Sequence, residues 1–207
     1  MLLLDHLVYA THNLDQTIDE LAHRLGVRAT AGGQHPGRGT RNALIALGPA
    51  SYLEIVGPDH TQPSPMAPRW FGIDTLRRPR LVAWAAVARD LVKVTALAIA
   101  QGVHLGAVVA GGRTRPDGGA LAWHMTDPTS IVADGVVPFL IDWGSSEHPA
   151  KAAAKGVELV SFRGEHSDAP EVRRMLHVLG VQFPVDPAPV PRLIATLRGP
   201  VGDSVLE

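Results

Sequence analysis

The chain has 207 residues, 45% of them hydrophobic, which is enough for one substantial hydrophobic core or two small ones. Its 19 basic residues nearly balance its 20 acidic residues, so its charge indicates neither a nucleic-acid partner nor an anionic membrane surface. The sequence has no cysteine, which excludes disulfides, thiolate nucleophiles and cysteine-ligated metal sites.

The first predicted unit begins with an apolar run at residues 2–10, which favours a β-strand. Asn13 is a suitable N-cap for a helix over 14–25, where leucine and isoleucine recur at helical spacing, and Gly26 is a suitable stop. The rest of the unit is predicted to be a glycine-rich loop and two strands, over 32–39, 42–47 and 51–56. A proline-rich segment at 57–68 follows as a linker or cover loop.

A second unit repeats this succession. Residues 80–88 are predicted to form a strand and 90–101 a helix, which Gly102 ends. The remaining elements are predicted as a strand, a turn-rich loop and two further strands, over 104–109, 113–119, 120–125 and 137–143.

A third unit starts with a predicted strand over 157–162. Asp168 as N-cap and Pro170 in the first turn are typical of a helix start, and the predicted helix runs over 169–179. The last predicted strands lie at 191–197 and 201–206.

The succession of strand, helix, glycine and strands thus starts three times, near residues 2, 80 and 157. Antiparallel strands with one helix per unit favour the α+β class. We expect repeated β-α-β-β-β units that form mixed, curved sheets, with the helices on the outer face and a central cleft. Residues 1–60 and 80–150 are predicted to pair within one domain over 1–150, and 151–207 to form a third, degenerate β-α-β-β unit packed on it.

Four segments of the first two units share a recognisable pattern, namely 4–10 (LDHLVYA), 35–42 (HPGRGTRN), 51–57 (SYLEIVG) and 138–144 (PFLIDWG). Together with 115–118 (RPDG) and 147–150 (EHPA), they resemble the glyoxalase-like domain proteins of the vicinal oxygen chelate superfamily. The resemblance covers residues 2–150 well, and 151–207 resembles a further, degenerate copy. It implies a small-molecule site in the cleft between the paired units.

The resemblance also implies where a divalent metal would bind. Enzymes of this superfamily typically hold such an ion with His, Gln or Glu on the first and last strands of each unit. His6 matches the first-strand position and Glu54 the last-strand position, so a divalent ion at His6 and Glu54 is the cofactor to consider. A carboxylate in an apolar strand needs a partner, and a salt bridge or an exposed edge is the alternative explanation for Glu54.

The second unit offers no matching ligands. The counterpart of the first-strand ligand is predicted to be Ala83 or Trp84, and that of the last-strand ligand Ile141. Asp142 faces the other way unless a bulge turns it inward, and His124 is a further substitute. Because two ligands make a poor metal site, we assign no metal ligands and expect the protein to purify without stoichiometric metal.

Other polar residues are candidates for binding a substrate. His35, Arg41 and Asn42 lie in or next to the glycine-rich loop, which could close over a ligand and present donors. The alternative is a turn whose glycines meet only backbone demands.

Near the end of the second unit, Asp142 and His148 could form a carboxylate–imidazole pair, although an exposed loop is the alternative. Trp70, Trp84, Trp123 and Trp143 would suit a flat organic ligand as an aromatic cluster, and core packing is the alternative for them.

These features favour a glyoxalase-like small-molecule enzyme of the lyase, isomerase or oxygenase class, with His6, Glu54 and His35 as candidate catalytic residues. The alternative is a non-catalytic small-molecule or drug-binding protein of the same fold. A structural or regulatory protein whose cleft has decayed is a third candidate.

The expected partner is a small organic molecule. The N-terminal residues have no basic segment followed by a long apolar run, and no apolar run approaches the roughly 18 residues of a membrane span. We therefore expect a cytoplasmic protein with neither a membrane nor a nucleic-acid partner, and a homodimer is compatible with this expectation.

Overall fold

The computed structural model describes residues 2–207, which form three successive units of the order β-α-β-β-β. The first unit comprises β1 (Leu3–Ala10), α1 (Leu14–Leu25), β2 (Thr30–His35), β3 (Thr40–Gly48) and β4 (Ser51–Pro58). The second comprises β5 (Arg80–Val87), α2 (Leu91–Ala100), β6 (Val108–Thr114), β7 (Ala120–Thr126) and β8 (Phe139–Asp142). The third comprises β9 (Glu158–His166), α3 (Ala169–Val178), β10 (Val185–Pro187), β11 (Arg192–Gly199) and β12 (Gly202–Leu206).

The strands of the first two units close into one barrel, in the order β1-β4-β3-β2-β6-β7-β8-β5. Within each half, the first and last strands pair in parallel, and the other neighbours are antiparallel. The halves meet through two antiparallel pairs, β1 with β5 and β2 with β6. This mixed, curved sheet around a central cavity confirms the predicted α+β class and its repeated units.

Strand alternation divides the apolar side chains of the barrel between two layers. On β1, Leu7 and Tyr9 belong to the outer core, whereas Val8 and Ala10 face the barrel interior. The buried faces of all three helices contribute to the same outer core. The helices therefore cover the outside of the sheets, as predicted, and the interior of the barrel is left for a site.

Helix α1 begins and ends where the sequence predicts because both of its caps form. The Asn13 side chain accepts a hydrogen bond from the backbone N–H of Gln16. Gly26 has a φ of 71°, in the left-handed region that favours glycine, and its N–H donates to the Ala22 carbonyl. No helix within residues 2–207 is long and apolar enough to cross a membrane.

The third unit differs from the barrel halves in its strand order. Its sheet runs β10-β9-β11-β12, whereas each half-barrel keeps its first and last strands adjacent. It also has a short strand, β10, that the sequence did not predict. This sheet packs on the outside of the barrel, where Trp84 of β5 contacts Phe162 and Phe183 with ring centroids 5.4 Å and 4.7 Å apart. The third unit therefore shares the element order of the half-barrels but not their strand order.

Two predicted loops are strand at their first residues only, and the remaining residues of each are outside strands. Residues 32–39 contain the end of β2, and 113–119 contain the end of β6, while the strand predicted over 104–109 begins only at Val108. Glycine-rich sequence disfavours strands locally, but the pairing of Gln34 with Thr114 joins these two strands and closes the barrel. Tertiary pairing thus overrides the local preference.

Candidate active site

The barrel encloses a cavity whose two walls differ in polarity. The polar wall comes from the first half and one arginine of β6, and consists of His6, His35, Asn42, Tyr52, Glu54 and Arg113. The apolar wall comes from the second half and the 3₁₀ segment Trp70–Thr75, and consists of Trp70, Phe71, Trp123, Met125, Phe139, Ile141 and Trp143. The free volume of the cavity is about 30 Å³. A ligand of more than a few atoms therefore requires lining side chains to move.

A β-bulge in β1 brings Asp5 and His6 to the same side of the barrel wall. Leu4 pairs with Ala86 and His6 with Ala85, so Asp5 is the extra residue of the bulge. Regular alternation would turn the two side chains to opposite faces. Instead, the Asp5 carboxylate is fully buried and lies 2.6 Å from Nδ1 of His6.

Asp5 accepts hydrogen bonds from three ring nitrogens, His6 Nδ1, Trp143 Nε1 at 2.9 Å and His148 Nε2 at 3.1 Å. Nδ1 of His148 accepts the backbone N–H of Ala150, so the hydrogen of this ring lies on Nε2. Burial raises the pKa of Asp5, but the hydrogen bonds and charges of His148 and His6 outweigh it and lower the pKa to about 2. Asp5 is therefore an ionised acceptor at neutral pH.

This network fixes the tautomer and direction of the His6 ring. Asp5 accepts the Nδ1 hydrogen, and Nε2 lies 3.7 Å from Oε2 of Glu54. The ring stacks on Tyr52 at a centroid distance of 4.7 Å and meets the edge of Phe139 at 5.5 Å. Burial raises the pKa of Tyr52 well above its usual value, so the phenol stays protonated. The hydrogen bond and the two aromatic contacts thus direct Nε2 of His6 toward Glu54 and the cavity.

Glu54 begins a chain of hydrogen bonds along the polar wall. Its Oε1 accepts from Nδ2 of Asn42 at 2.5 Å, and Oδ1 of Asn42 accepts from Nη1 of Arg113 at 2.9 Å. All three residues are buried, so the chain is sheltered from competing water. The structure therefore brings together His6, Glu54 and Asn42, three of the residues that the sequence indicated.

His35 joins the same wall as a neutral ring. Its Nδ1 lies 3.0 Å from the Thr40 hydroxyl, and its Nε2 lies 3.4 Å from Nδ2 of Asn42. Burial lowers the pKa of His35 to about 4, and nearby arginines reinforce this effect although the Glu54 charge opposes it. At neutral pH His35 is uncharged and does not form an ion pair with Glu54, whose Oε1 is 3.8 Å away.

The strand register corrects the predicted counterpart of His6 in the second half. Ala85 lies opposite the start of β8, as His6 lies opposite the start of β4, so Ala83 and Trp84 were the wrong positions. Alignment from the strand starts failed because His6 is the fourth residue of β1, whereas Ala85 is the sixth residue of β5.

The donors in the cavity do not fit the divalent metal site that the resemblance implies. The second-half counterparts, Ala85 and Ile141, carry no ligand atoms, which leaves His6, His35 and Glu54 of the first half. Arg113 adds a positive charge to the same wall, and this charge opposes a cation. Within residues 2–207, no group of three or more His, Cys, Asp or Glu is arranged to hold a metal ion. The side chains of the protein itself are therefore the groups available for chemistry.

Five of the predicted binding residues do not line the cavity, and Trp84 and Arg41 are two of them. Trp84 faces the outer core, and its Nε1 donates to the Val136 carbonyl at 2.9 Å. Arg41 follows the alternation of β3 away from the interior and forms an ion pair with Asp15 at 2.8 Å, where both side chains are more than a third exposed.

The predicted pair of Asp142 and His148 is not formed. Asp142 accepts the backbone N–H of Gly144, whereas His148 donates to Asp5, and neither Asp142 nor His148 lines the cavity. His124 is exposed and lies opposite Asp142 on the outer side of the sheet. Ile141 occupies the inward position next to Asp142 on β8. By strand alternation Asp142 therefore faces outward.

Several residues of the site were not among the predicted ones, namely Asp5, Tyr52, Phe71, Arg113, Met125, Phe139 and Ile141. Tyr52 could have been found, since it is two residues before Glu54 and shares its face of the strand. Arg113 had no local signal, because only the closure of the barrel brings β6 beside the first half.

Two half-barrels that enclose one cavity define the fold of the vicinal oxygen chelate superfamily. Residues 4–180 match the glyoxalase-like domain, so the chain belongs to this family. No curated protein matches the chain.

Among solved structures, a hypothetical protein from Staphylococcus aureus has a TM-score of 0.65 and 14% identity, and the match covers 93% of this chain and 88% of that one. This coverage has to include most of the third unit, so the three-unit fold also occurs there. Methylmalonyl-CoA epimerase from Mycobacterium tuberculosis is 22% identical over 68% of this chain and 87% of its own, with a TM-score of 0.44. The Streptomyces coelicolor epimerase in complex with 2-nitronate-propionyl-CoA is 20% identical over 70% and 96%, with a TM-score of 0.46.

Proposed function

We propose that this protein is an enzyme that moves a proton on a small organic molecule held in the barrel cavity, in the isomerase or lyase class. The observation that carries the proposal is the Asp5–His6 pair, whose 2.6 Å hydrogen bond leaves Nε2 directed toward Glu54. A buried carboxylate of this kind orients the imidazole for general base catalysis and stabilises the imidazolium that forms.

In the first step, Nε2 of His6 accepts a proton from a carbon next to a substrate carbonyl. The C–H electron pair forms a C=C bond and the carbonyl π pair moves to oxygen, which gives an enolate and an imidazolium. In an isomerase, the imidazolium returns the proton to the other face or to another carbon. In a lyase, the enolate pair expels a neighbouring group, which leaves with the electrons of its bond.

A non-catalytic binding protein is the second candidate, and the aromatic wall favours it because three of the four tryptophans line the cavity. Binding of a flat ligand, however, does not require a fully buried, ionised carboxylate, which is costly to desolvate. The oxygenase class would need a redox-active metal, which the donor set does not fit.

The test is exchange of carbon-bound hydrogen for deuterium in D₂O, followed by proton NMR over a panel of small ketones, esters and carboxylates. We expect exchange next to a carbonyl in at least one compound. His6→Ala should lower its rate by about 10²–10⁴-fold, which is the usual contribution of a general base.

His124→Ala is the matched control, since this histidine is exposed on the outer side of the sheet and should leave the rate unchanged. Binding without exchange across the panel would support the binding protein instead. Exchange that survives in His6→Ala would contradict the role of this residue.

A further inference from the structure

We propose that Arg113 forms an oxyanion subsite, and that the substrate is a small, largely apolar carbonyl compound whose oxygen takes up the free donors of this guanidinium. The inference rests on the proposed function and specifies its substrate class. Arg113 lies on β6, is only 6% exposed and lines the cavity.

The hydrogen bonding of Arg113 is incomplete. Nη1 donates to Oδ1 of Asn42 at 2.9 Å, but Nε is buried without a partner. Within the described part of the chain, no carboxylate forms an ion pair with Arg113, because Asn42 stands between it and Glu54. A buried guanidinium is normally paired, and an unfilled donor costs free energy until a ligand takes it up.

The chain also makes room for this arginine. Gly32 on β2 lies against Nη1 of Arg113 and Oδ1 of Asn42, and a Cβ at this position would clash with both atoms. The glycine-rich sequence of β2 thus allows the cation to lie inside the barrel next to the polar wall.

The charge balance favours a carbonyl oxygen that becomes negative during the reaction. Transfer of a proton to His6 creates one imidazolium and one enolate, so the cavity gains no net charge. The ionised Asp5 lies beside the imidazolium, and Arg113 is the cation available to the enolate oxygen. The apolar wall of Trp123, Phe139 and Ile141 would contact the rest of the substrate.

Benzoate and benzamide are suitable probes because they share one apolar ring and differ in the charge of the planar head group. Titration followed by tryptophan fluorescence should give an affinity for benzoate at least about tenfold higher than for benzamide. Raising the salt concentration should change this preference little, since the cavity is buried.

Arg113→Gln should abolish the preference for benzoate, and Arg113→Lys should keep part of it, because lysine retains the charge without the planar fork. Arg115→Gln is the control, since this neighbouring arginine pairs with Asp117 and does not line the cavity. If Arg113→Gln does not fold, the comparison of the two probes on the wild-type protein still decides.

Equal binding of the two probes to the wild-type protein, or an unchanged preference in Arg113→Gln, would overturn the subsite. His6→Gln separates this inference from the proposed function, because it should lose hydrogen exchange but still prefer benzoate. Hydrogen exchange without anion preference would leave the proposed function standing and remove the subsite. A preference for benzoate without hydrogen exchange would support the subsite and contradict the proposed proton transfer.

Discussion

Burial and hydrogen bonding set the charge of single side chains in the cavity. Asp5 is ionised because three ring N–H groups donate to it, and its pKa is lowered to about 2. His35 is neutral because no comparable partner offsets its burial, and its pKa is lowered to about 4. At neutral pH Asp5 is therefore charged and His35 is uncharged. Both groups make the free energy of unfolding depend on pH in acid.

His35 should make the protein less stable as the pH falls from about 6.5 to about 4. In this range the unfolded chain binds a proton at this ring and the folded chain does not, so the free energy of unfolding decreases. Between pH 7 and about pH 4.5 the expected loss is about 2.5 kcal/mol. Urea unfolding of the wild type and His35→Gln at both pH values measures it.

His35→Gln should lose about 2.5 kcal/mol less than the wild type over this interval, since all other groups titrate alike in both proteins. His23→Gln, at an exposed position of α1, is the control and should follow the wild type. Equal losses in His35→Gln and the wild type would show that His35 is not neutral when folded.

The strands that join the two halves are formed of residues that do not favour strands on their own. β2 contains Gly32 and Gly33, and β6 contains Gly111 and Gly112. The missing side chains let polar and aromatic groups lie flat against the backbone, since the indole of Trp123 occupies the place of a Cβ at Gly111. These glycines therefore shape the cavity wall.

Gly111→Ala should destabilise the protein by about 1–3 kcal/mol, because the new methyl group displaces the indole of Trp123 toward the cavity. It should also weaken binding of the benzoate probe. Gly112→Ala is the matched control, since its Cβ would only approach the Leu121 carbonyl at 3.2 Å. Thermal unfolding and the fluorescence titration measure both effects, and equal behaviour of the two variants would contradict this explanation.

Local pattern predicted the helices well and the site only in part, for physical reasons. Asn13 and Gly26 fix the ends of α1 through contacts within a few residues, so the sequence alone sufficed. The hydrogen bond between Asp5 and His6 depends on a β-bulge, which strand alternation does not predict. The role of β6 depended on pairing with a strand some eighty residues earlier, as Gln34 and Thr114 show.

The whole molecule is held together by one outer core that includes residues of the barrel, the helices and the third sheet. Trp84 lies at the centre of this contact, between the barrel and the rings of Phe162 and Phe183. Trp84 was predicted to contact a ligand, but its side chain packs in this core instead. Because the layers share one core, we expect them to unfold together.

Trp84→Ala should therefore destabilise the barrel and the third sheet by the same amount, about 3–5 kcal/mol. Hydrogen exchange read by mass spectrometry on peptides from β5 and from β9 measures the opening free energy of each layer. Val92→Ala, at a residue of α2 that is 70% exposed, should change both by no more than about 0.5 kcal/mol. Faster exchange confined to the third sheet, with the barrel unchanged, would mean that this sheet is a separately folding unit that only rests on the barrel.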